Sequence, residues 1–119
     1  MRCLKIDDKW VNLILSGKKT WEIRRRNTLI RERIALGNTK IKRSVGYARI
    51  VDSVEMSVKE LRKHNYKHQA NDFLEKYAKG RKTLFAWILE DVEVETKPKP
   101  YSHSTGSWCK VKAMREIKF

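Results

Sequence analysis

A lysine, a glutamate and an arginine lie close together near the start of the sequence, at Lys19, Glu22 and Arg24. In an extended strand alternate side chains share a face, so Glu22 and Arg24 would lie together, opposite Trp21 and Ile23. A lysine amine can act as a base or a nucleophile when burial lowers its pKa, whereas a neighbouring carboxylate stabilises the ammonium form. The sequence leaves open which effect dominates. A surface ion pair with a solvated lysine is the alternative interpretation.

The flanking segments predict how this group is positioned. Asp7 and Asp8 are suitable N-cap residues for a helix through the apolar run 10–15. Gly17 can adopt the left-handed conformation that closes a helix, because it has no Cβ. A strand over residues 20–24 would follow. Lys19 would then lie at the corner between the helix and the strand.

Cations are concentrated around the same corner. Residues 17–49 contain eleven Lys or Arg against two Glu, and the 119-residue chain has a formal net charge of +14. This excess is larger than solubility requires, so it favours a nucleic-acid partner over an ordinary basic surface. We therefore interpret Lys18, Arg24, Arg25 and Arg26 as candidate phosphate contacts.

A hydroxyl-rich loop near the other end of the chain is a second candidate for binding. It follows residues 97–100, a segment with two prolines that we predict not to pair in a sheet, because proline lacks a backbone N–H. Tyr101 is a candidate for stacking on a base, and Ser104 and Ser107 for contacting phosphate or sugar. The alternative is a polar surface turn with Tyr101 packed over the core. The binding hypothesis requires this loop to face the Lys19 corner across one basic cleft.

The spacing Gly-x-Lys-x-x-Glu-x-Arg at residues 17–24 resembles the signature of the ASCH domain family. The segment 87–90, the Pro100-Tyr101 pair and the Gly106-x-Trp108 spacing resemble later parts of the same family. The resemblance covers nearly the whole chain and implies a single ASCH domain over residues 1–119. It implies an α+β fold, a small PUA-like mixed β-barrel of about six strands flanked by helices. It also implies an RNA-linked role and, in some members, hydrolysis of RNA or of an acetylated cytidine.

The resemblance also implies roles for individual residues. Lys19 and Glu22 would be the catalytic residues of a hydrolase. In the amidohydrolase members of the family a threonine stands three residues after the site lysine, where this chain has Glu22, and no residue of segment 58–72 can be assigned as a second carboxylate. We therefore expect RNA binding in a basic cleft and leave ribonuclease activity open. Hydrolysis of a modified nucleoside such as N4-acetylcytidine is the alternative function.

Cysteine and histidine residues do not show a metal-ligand spacing. Cys3 and Cys109 are far apart in sequence, and we predict that both are small buried residues of a reduced protein. His64 and His68 are spaced i, i+4 but lack the adjacent glutamate and third ligand of a zinc-protease helix, which favours a solvated helix face, with His68 as a secondary candidate for lining a pocket. We expect neither a metal nor another cofactor.

The sequence also bears on location and partners. The first residues carry charges where a signal peptide needs an apolar centre, and no apolar stretch reaches membrane-spanning length. We expect a cytoplasmic monomer with no membrane partner, and RNA as its ligand, single-stranded RNA in particular.

Periodicity and turn residues predict the remaining elements. The box Ser57-x-x-Glu60 predicts the start of a helix that reaches about Ala70, and Gly80 predicts the end of a second helix over 71–79. A turn is predicted at Gly37-Asn38 and a bulge near Asp52. Besides the strand at 20–24, the predicted strands are 3–6, 33–36, 45–56, 83–95 and 107–113.

Overall fold

A computed structural model describes residues 1–111. Its strands are β1 (Arg2–Ile6), β2 (Trp21–Arg24), β3 (Arg33–Asn38), β4 (Arg43–Ser57), β5 (Thr83–Pro100) and β6 (Trp108–Lys110). Its helices are α1 (Asp8–Leu15), α2 (Val58–Leu61), α3 (Asn65–His68) and α4 (Leu74–Ala78), with 3-10 turns at Arg62–His64 and Asn71–Phe73. No helix within these residues is long and apolar enough to cross a membrane.

The six strands form one mixed sheet in the order β2-β5-β4-β3-β1-β6. β1 pairs with β3 in parallel, and the other neighbours pair antiparallel. The α+β class and the six strands are confirmed. Within residues 1–111 the two edge strands, β2 and β6, do not pair with each other, so the sheet is open rather than a closed barrel.

β4 and β5 form a long antiparallel ribbon that runs through most of the sheet. The predicted bulge is confirmed by a register shift between Ile50 and Asp52. The prediction that residues 97–100 do not pair is wrong, since Lys99 and Pro100 pair with Ser44 and Arg43. β2 pairs only with residues 85–88 of β5. In the described part of the chain, the end of β5 that contains the prolines therefore has no strand on the side facing away from β4. A missing proline N–H is tolerated at such a free edge.

Two local predictions change in the folded chain. The turn expected at Gly37-Asn38 comes later, at residues 39–42, because Asn38 still pairs with Arg43. The helix expected over 57–70 forms as α2, a 3-10 turn and α3, although the Ser57 hydroxyl accepts the predicted capping hydrogen bond from the Glu60 N–H at 3.0 Å. The last residues of the predicted 107–113 strand lie outside the described residues.

Within residues 1–111 the core consists of three apolar clusters. The first packs α1 against the sheet, with Val11 and Ile14 among its members, and the second packs α2 and α4 against Ile23 of β2. Trp10 contacts both of these, and the third contains Cys3 and Cys109. Cys3 and Cys109 are buried, free and opposite each other in the β1–β6 pair, as small core residues.

Candidate functional site

The corner between α1 and β2 turns Lys19 toward the interior. Gly17 has a φ of 85°, and the amides of Lys18 and Lys19 both donate to the carbonyl of Leu13 at 3.1 Å. The Thr20 amide then donates to the carbonyl of Lys67 in α3 at 2.8 Å. The helix end is thus tied to a segment almost fifty residues later, and this tie places the lysine between α1 and α3.

Lys19 is a buried cation with three partners. Its side chain is 2% exposed, and its Nζ donates to the carbonyl of His68 at 2.7 Å. The same Nζ lies 3.6 Å from Glu22 Oε1 and 5.0 Å from the centroid of the Trp10 ring. Burial lowers the pKa of Lys19, and the Glu22 carboxylate opposes that shift. The interpretation of Lys19 as a solvated lysine is therefore wrong.

Glu22 joins Lys19 to Arg24. Its Oε2 accepts a hydrogen bond from Arg24 Nε at 2.9 Å and forms an ion pair with Arg24 Nη2 at 2.8 Å, and its side chain is 6% exposed. Arg24 Nη2 also donates to the carbonyl of Lys5 at 3.0 Å. Trp21 and Ile23 pack into the second apolar cluster. The predicted alternation along β2 is confirmed.

His68 is fully buried, which corrects the expectation of a solvated histidine face. Its Nδ1 accepts a hydrogen bond from the Ala70 N–H at 2.9 Å, and its Nε2 lies 2.6 Å from the Leu61 carbonyl. This network assigns the neutral ring with the proton on Nε2. His68 is buried because α3 packs against the end of α1 and β2. Its ring thereby fixes the backbone carbonyl that receives Lys19.

Acid is expected to destabilise the protein through His68. Burial lowers the pKa of His68 below 6.5, and the positive charge of Lys19 lowers it further. As the pH falls below about 6.5 the unfolded chain binds a proton that the folded chain does not, so stability decreases by up to about 1.4 kcal/mol per pH unit. Urea unfolding of the wild type and of His68→Gln across this range measures the effect. A wild-type slope no steeper than that of the variant would contradict it.

A cavity of about 520 Å³ is lined by Lys19 and Glu22. Among its described lining residues, cations outnumber carboxylates. Lys9 Nζ lies 4.1 Å from the centroid of the Phe73 ring at one wall. The charged lining residues are Lys5, Lys9, Lys19, Arg24, Arg25, Lys76, Lys79, Asp7 and Glu22, and the aromatic ones are Trp10, Phe73 and Tyr77.

A second cavity, of about 630 Å³, adjoins the first and shares Arg24, Arg25 and Tyr77 with it. Gly106 and Ser107 of the late loop line this cavity together with Arg26. Part of the loop near position 105 therefore lies beside the basic segment that follows β2. The other lining residues are Asn27, Thr28, Arg81, Trp87 and Trp108.

Three of the candidate binding residues line neither cavity. The Tyr101 ring packs close to Gly37, where an added Cβ would lie 3.1 Å from it. Ser104 Oγ donates to the Trp108 carbonyl at 2.6 Å, and Lys18 is exposed beside Gln69. The packing of Tyr101 over the core matches the alternative interpretation of this loop.

Several lining residues were not found by sequence reasoning. Lys9 and Trp10 belong to α1, whereas Phe73, Tyr77 and Arg81 belong to the segment around α4. Aromatic residues interleaved with lysines and arginines over 73–81 were the available signal. No group of His, Cys, Asp and Glu side chains in residues 1–111 is arranged to hold a metal ion.

Comparisons with known proteins agree on one family. The model of the ASCH domain matches residues 4–113. The crystal structure of ASCH from Zymomonas mobilis superimposes with a TM-score of 0.73 at 25% identity, covering 83% of this chain and 72% of that chain. A tyrosine-to-phenylalanine mutant of that protein gives the same score and identity and covers 83% of this chain and 74% of that chain.

No curated protein matches the sequence significantly. The ASCH family has a PUA-like fold and is linked to RNA binding. Because the family model matches nearly the whole length, from residue 4 to residue 113, this chain belongs to the ASCH domain family.

Proposed function

We propose that this protein binds single-stranded RNA in the cleft formed by the two adjoining cavities. The observation that carries the proposal is a strongly cationic, aromatic-walled cavity above the buried Lys19–Glu22–Arg24 group. A volume of about 520 Å³ is within the range of small-molecule sites and suits a nucleotide better than a bulky partner.

Charge supports a polyanionic ligand. Among the described residues, seven lysines and arginines line the first cavity against two carboxylates. Arg24 is already bound to Glu22 and to a backbone carbonyl, so Arg25 and Arg26 are better placed than Arg24 to hold phosphate. Release of condensed counterions from RNA would then supply much of the binding free energy.

The aromatic walls favour an unpaired strand. Trp10 and Phe73 contact each other edge to face, with centroids 5.4 Å apart, and Tyr77 lines the same cavity. Bases within a duplex cannot reach such a surface, whereas unstacked bases can pack on aromatic rings. The protein is therefore expected to prefer single-stranded RNA over duplex RNA of the same length.

RNA binding is expected to weaken steeply with salt. For a labelled single-stranded RNA of about ten nucleotides, with about four phosphates contacted, log K should fall with log salt at a slope of about −3. Replacing Lys76 and Lys79 together with Gln should weaken binding about tenfold, since both line the first cavity. Fluorescence anisotropy over a salt series measures both effects.

A charge-matched control separates a cavity from a generally basic surface. Lys40 and Lys59 are exposed and line neither cavity, so the double variant Lys40→Gln, Lys59→Gln should bind almost as the wild type does. Equal weakening in the two double variants would show that RNA is attracted nonspecifically to a basic surface and is not bound in the cleft. A binding constant unchanged between low and moderate salt would refute RNA binding through phosphate contacts.

Hydrolysis is the second candidate function, and the burial of Lys19 beside Glu22 favours it. A lysine with a lowered pKa could remove the proton of a ribose 2′-hydroxyl or act on a modified nucleoside such as N4-acetylcytidine. Lys19→Met discriminates between the functions. Lost turnover of RNA or N4-acetylcytidine with RNA binding retained assigns Lys19 to catalysis, whereas parallel loss of RNA binding and cleavage assigns the protein to a binding role.

A further inference from the structure

We infer that the second cavity is a phosphate-binding subsite, so that the cleft holds two consecutive nucleotides of a strand rather than one free nucleoside. This inference rests on the proposed RNA binding and specifies its ligand. The second cavity shares Arg24, Arg25 and Tyr77 with the first. A ligand can therefore extend from one cavity into the other along this shared wall.

The two cavities differ in the charges of the residues that line them. Asp7 and Glu22 line the first cavity, whereas in residues 1–111 no carboxylate lines the second. Four arginines of the described part of the chain line the second, namely Arg24, Arg25, Arg26 and Arg81. A phosphate diester entering the second cavity is therefore not repelled by a carboxylate of residues 1–111 in the lining. Arginine is also the side chain whose planar fork matches phosphate oxygens in two-point hydrogen bonds.

Internal contacts hold one of these guanidinium groups in place before any ligand arrives. Arg25 Nε donates to the Tyr77 carbonyl at 2.7 Å, and its guanidinium lies 4.2 Å from the centroid of the Tyr77 ring. These contacts leave the two terminal nitrogens of Arg25 as donors. Binding to such a side chain costs less conformational entropy than binding to a freely rotating one.

Arg26 and Arg81 supply exposed cations on the same cavity. Within the described residues, neither side chain forms an ion pair. A phosphate would therefore displace no ion-pair partner that belongs to residues 1–111 from either of them. Arg81 is the better probe, because it lines only the second cavity and its segment is outside the Lys19 group.

An aromatic surface for a neighbouring base is also present. The rings of Trp87 and Trp108 are stacked with centroids 6.0 Å apart, Trp87 is buried, and Trp108 remains partly exposed. Gly106 lies beside them in the cavity lining, and an added Cβ there would have no atom within 4 Å. The space around Gly106 leaves room for a base to pack against Trp108.

The ligand class that follows is a phosphodiester-linked strand of at least two nucleotides. A free nucleoside has no phosphate for the arginines of the second cavity to bind. We expect an equimolar mixture of dinucleoside monophosphates to displace labelled RNA at a concentration at least about tenfold lower than a mixture of the four nucleosides.

Arg81→Gln tests the subsite directly in the full chain. The change should weaken binding of a labelled single-stranded RNA several-fold and reduce the magnitude of the salt slope by about 0.7, the value of one phosphate contact. Lys40→Gln removes the same charge outside both cavities and should change neither quantity. Arg81→Lys, which keeps the charge without the planar fork, should restore the slope with only part of the affinity.

The outcomes separate this inference from the function on which it rests. If the wild type binds RNA but Arg81→Gln behaves as Lys40→Gln does, or nucleosides compete as well as dinucleoside monophosphates, the second cavity is not a subsite, whereas RNA binding through the first cavity stands. If the wild type binds no RNA, the proposed function fails and the subsite fails with it.

Discussion

Glu22→Gln is expected to destabilise the protein by about 3–5 kcal/mol, because it leaves a buried cation without its counter-charge. Lys19 Nζ would keep the His68 carbonyl but lose the carboxylate 3.6 Å away. Arg24 would lose the charge that binds both its Nε and its Nη2. Urea unfolding followed by circular dichroism near neutral pH measures the loss.

An exposed ion pair is the matched control for this substitution. Glu93 pairs with Arg33 but its side chain is 62% exposed, so Glu93→Gln should cost less than about 1 kcal/mol. The pH dependence gives an independent check. Without Glu22 the pKa of Lys19 falls further, so the folded chain releases this proton at a lower pH than the unfolded chain does, and stability should partly recover as the pH rises toward 10.5, the ordinary pKa of lysine. Equal losses in the two variants would show that the Lys19–Glu22 pair contributes no more than a surface pair.

Gly46→Ala is expected to destabilise the protein by about 3 kcal/mol through overpacking. A Cβ at Gly46 would lie 2.5 Å from Leu15 Cδ2 and 2.6 Å from the Glu93 carbonyl oxygen. The leucine can shift in part, but the oxygen belongs to β5, and moving it would strain the pairing of Gly46 with Val94. Thermal or urea unfolding measures the effect.

Gly106→Ala is the control for this prediction, since an added Cβ there would meet no atom within 4 Å. Its effect on stability should stay within about 0.5 kcal/mol. A loss of stability at Gly46 as small as that at Gly106 would mean that α1 and β5 can move away from Gly46 at little cost. That result would be contrary to the close packing of protein interiors.

Local sequence rules predicted the elements that carry the candidate site. Gly17 ends α1 with a positive φ, and the alternation of β2 separates Glu22 from Trp21 and Ile23. Ser57 caps the following helix as expected. Each of these features depends on a few neighbouring residues, whose conformational preferences are the same in most contexts.

Features that depend on distant partners were not predictable in the same way. The burial of His68 requires α3 to pack against Thr20, and the pairing of Pro100 requires that β2 ends before it reaches that part of β5. Tyr101 was the candidate for stacking on a base, yet its ring packs beside Gly37. In each of these cases the position depends on contacts with segments remote in sequence.

Residue types and their local spacing established the net charge of +14, the family signature at residues 17–24 and the order of strands and helices along the chain. Contacts between distant segments were needed to show that Lys19 is buried, that His68 supplies its carbonyl partner, and that residues near 25, 77 and 107 line one cavity. The physical reason is that burial and ion pairing depend on which surfaces meet. Those surfaces come from segments separated by about thirty residues or more, beyond the reach of local periodicity.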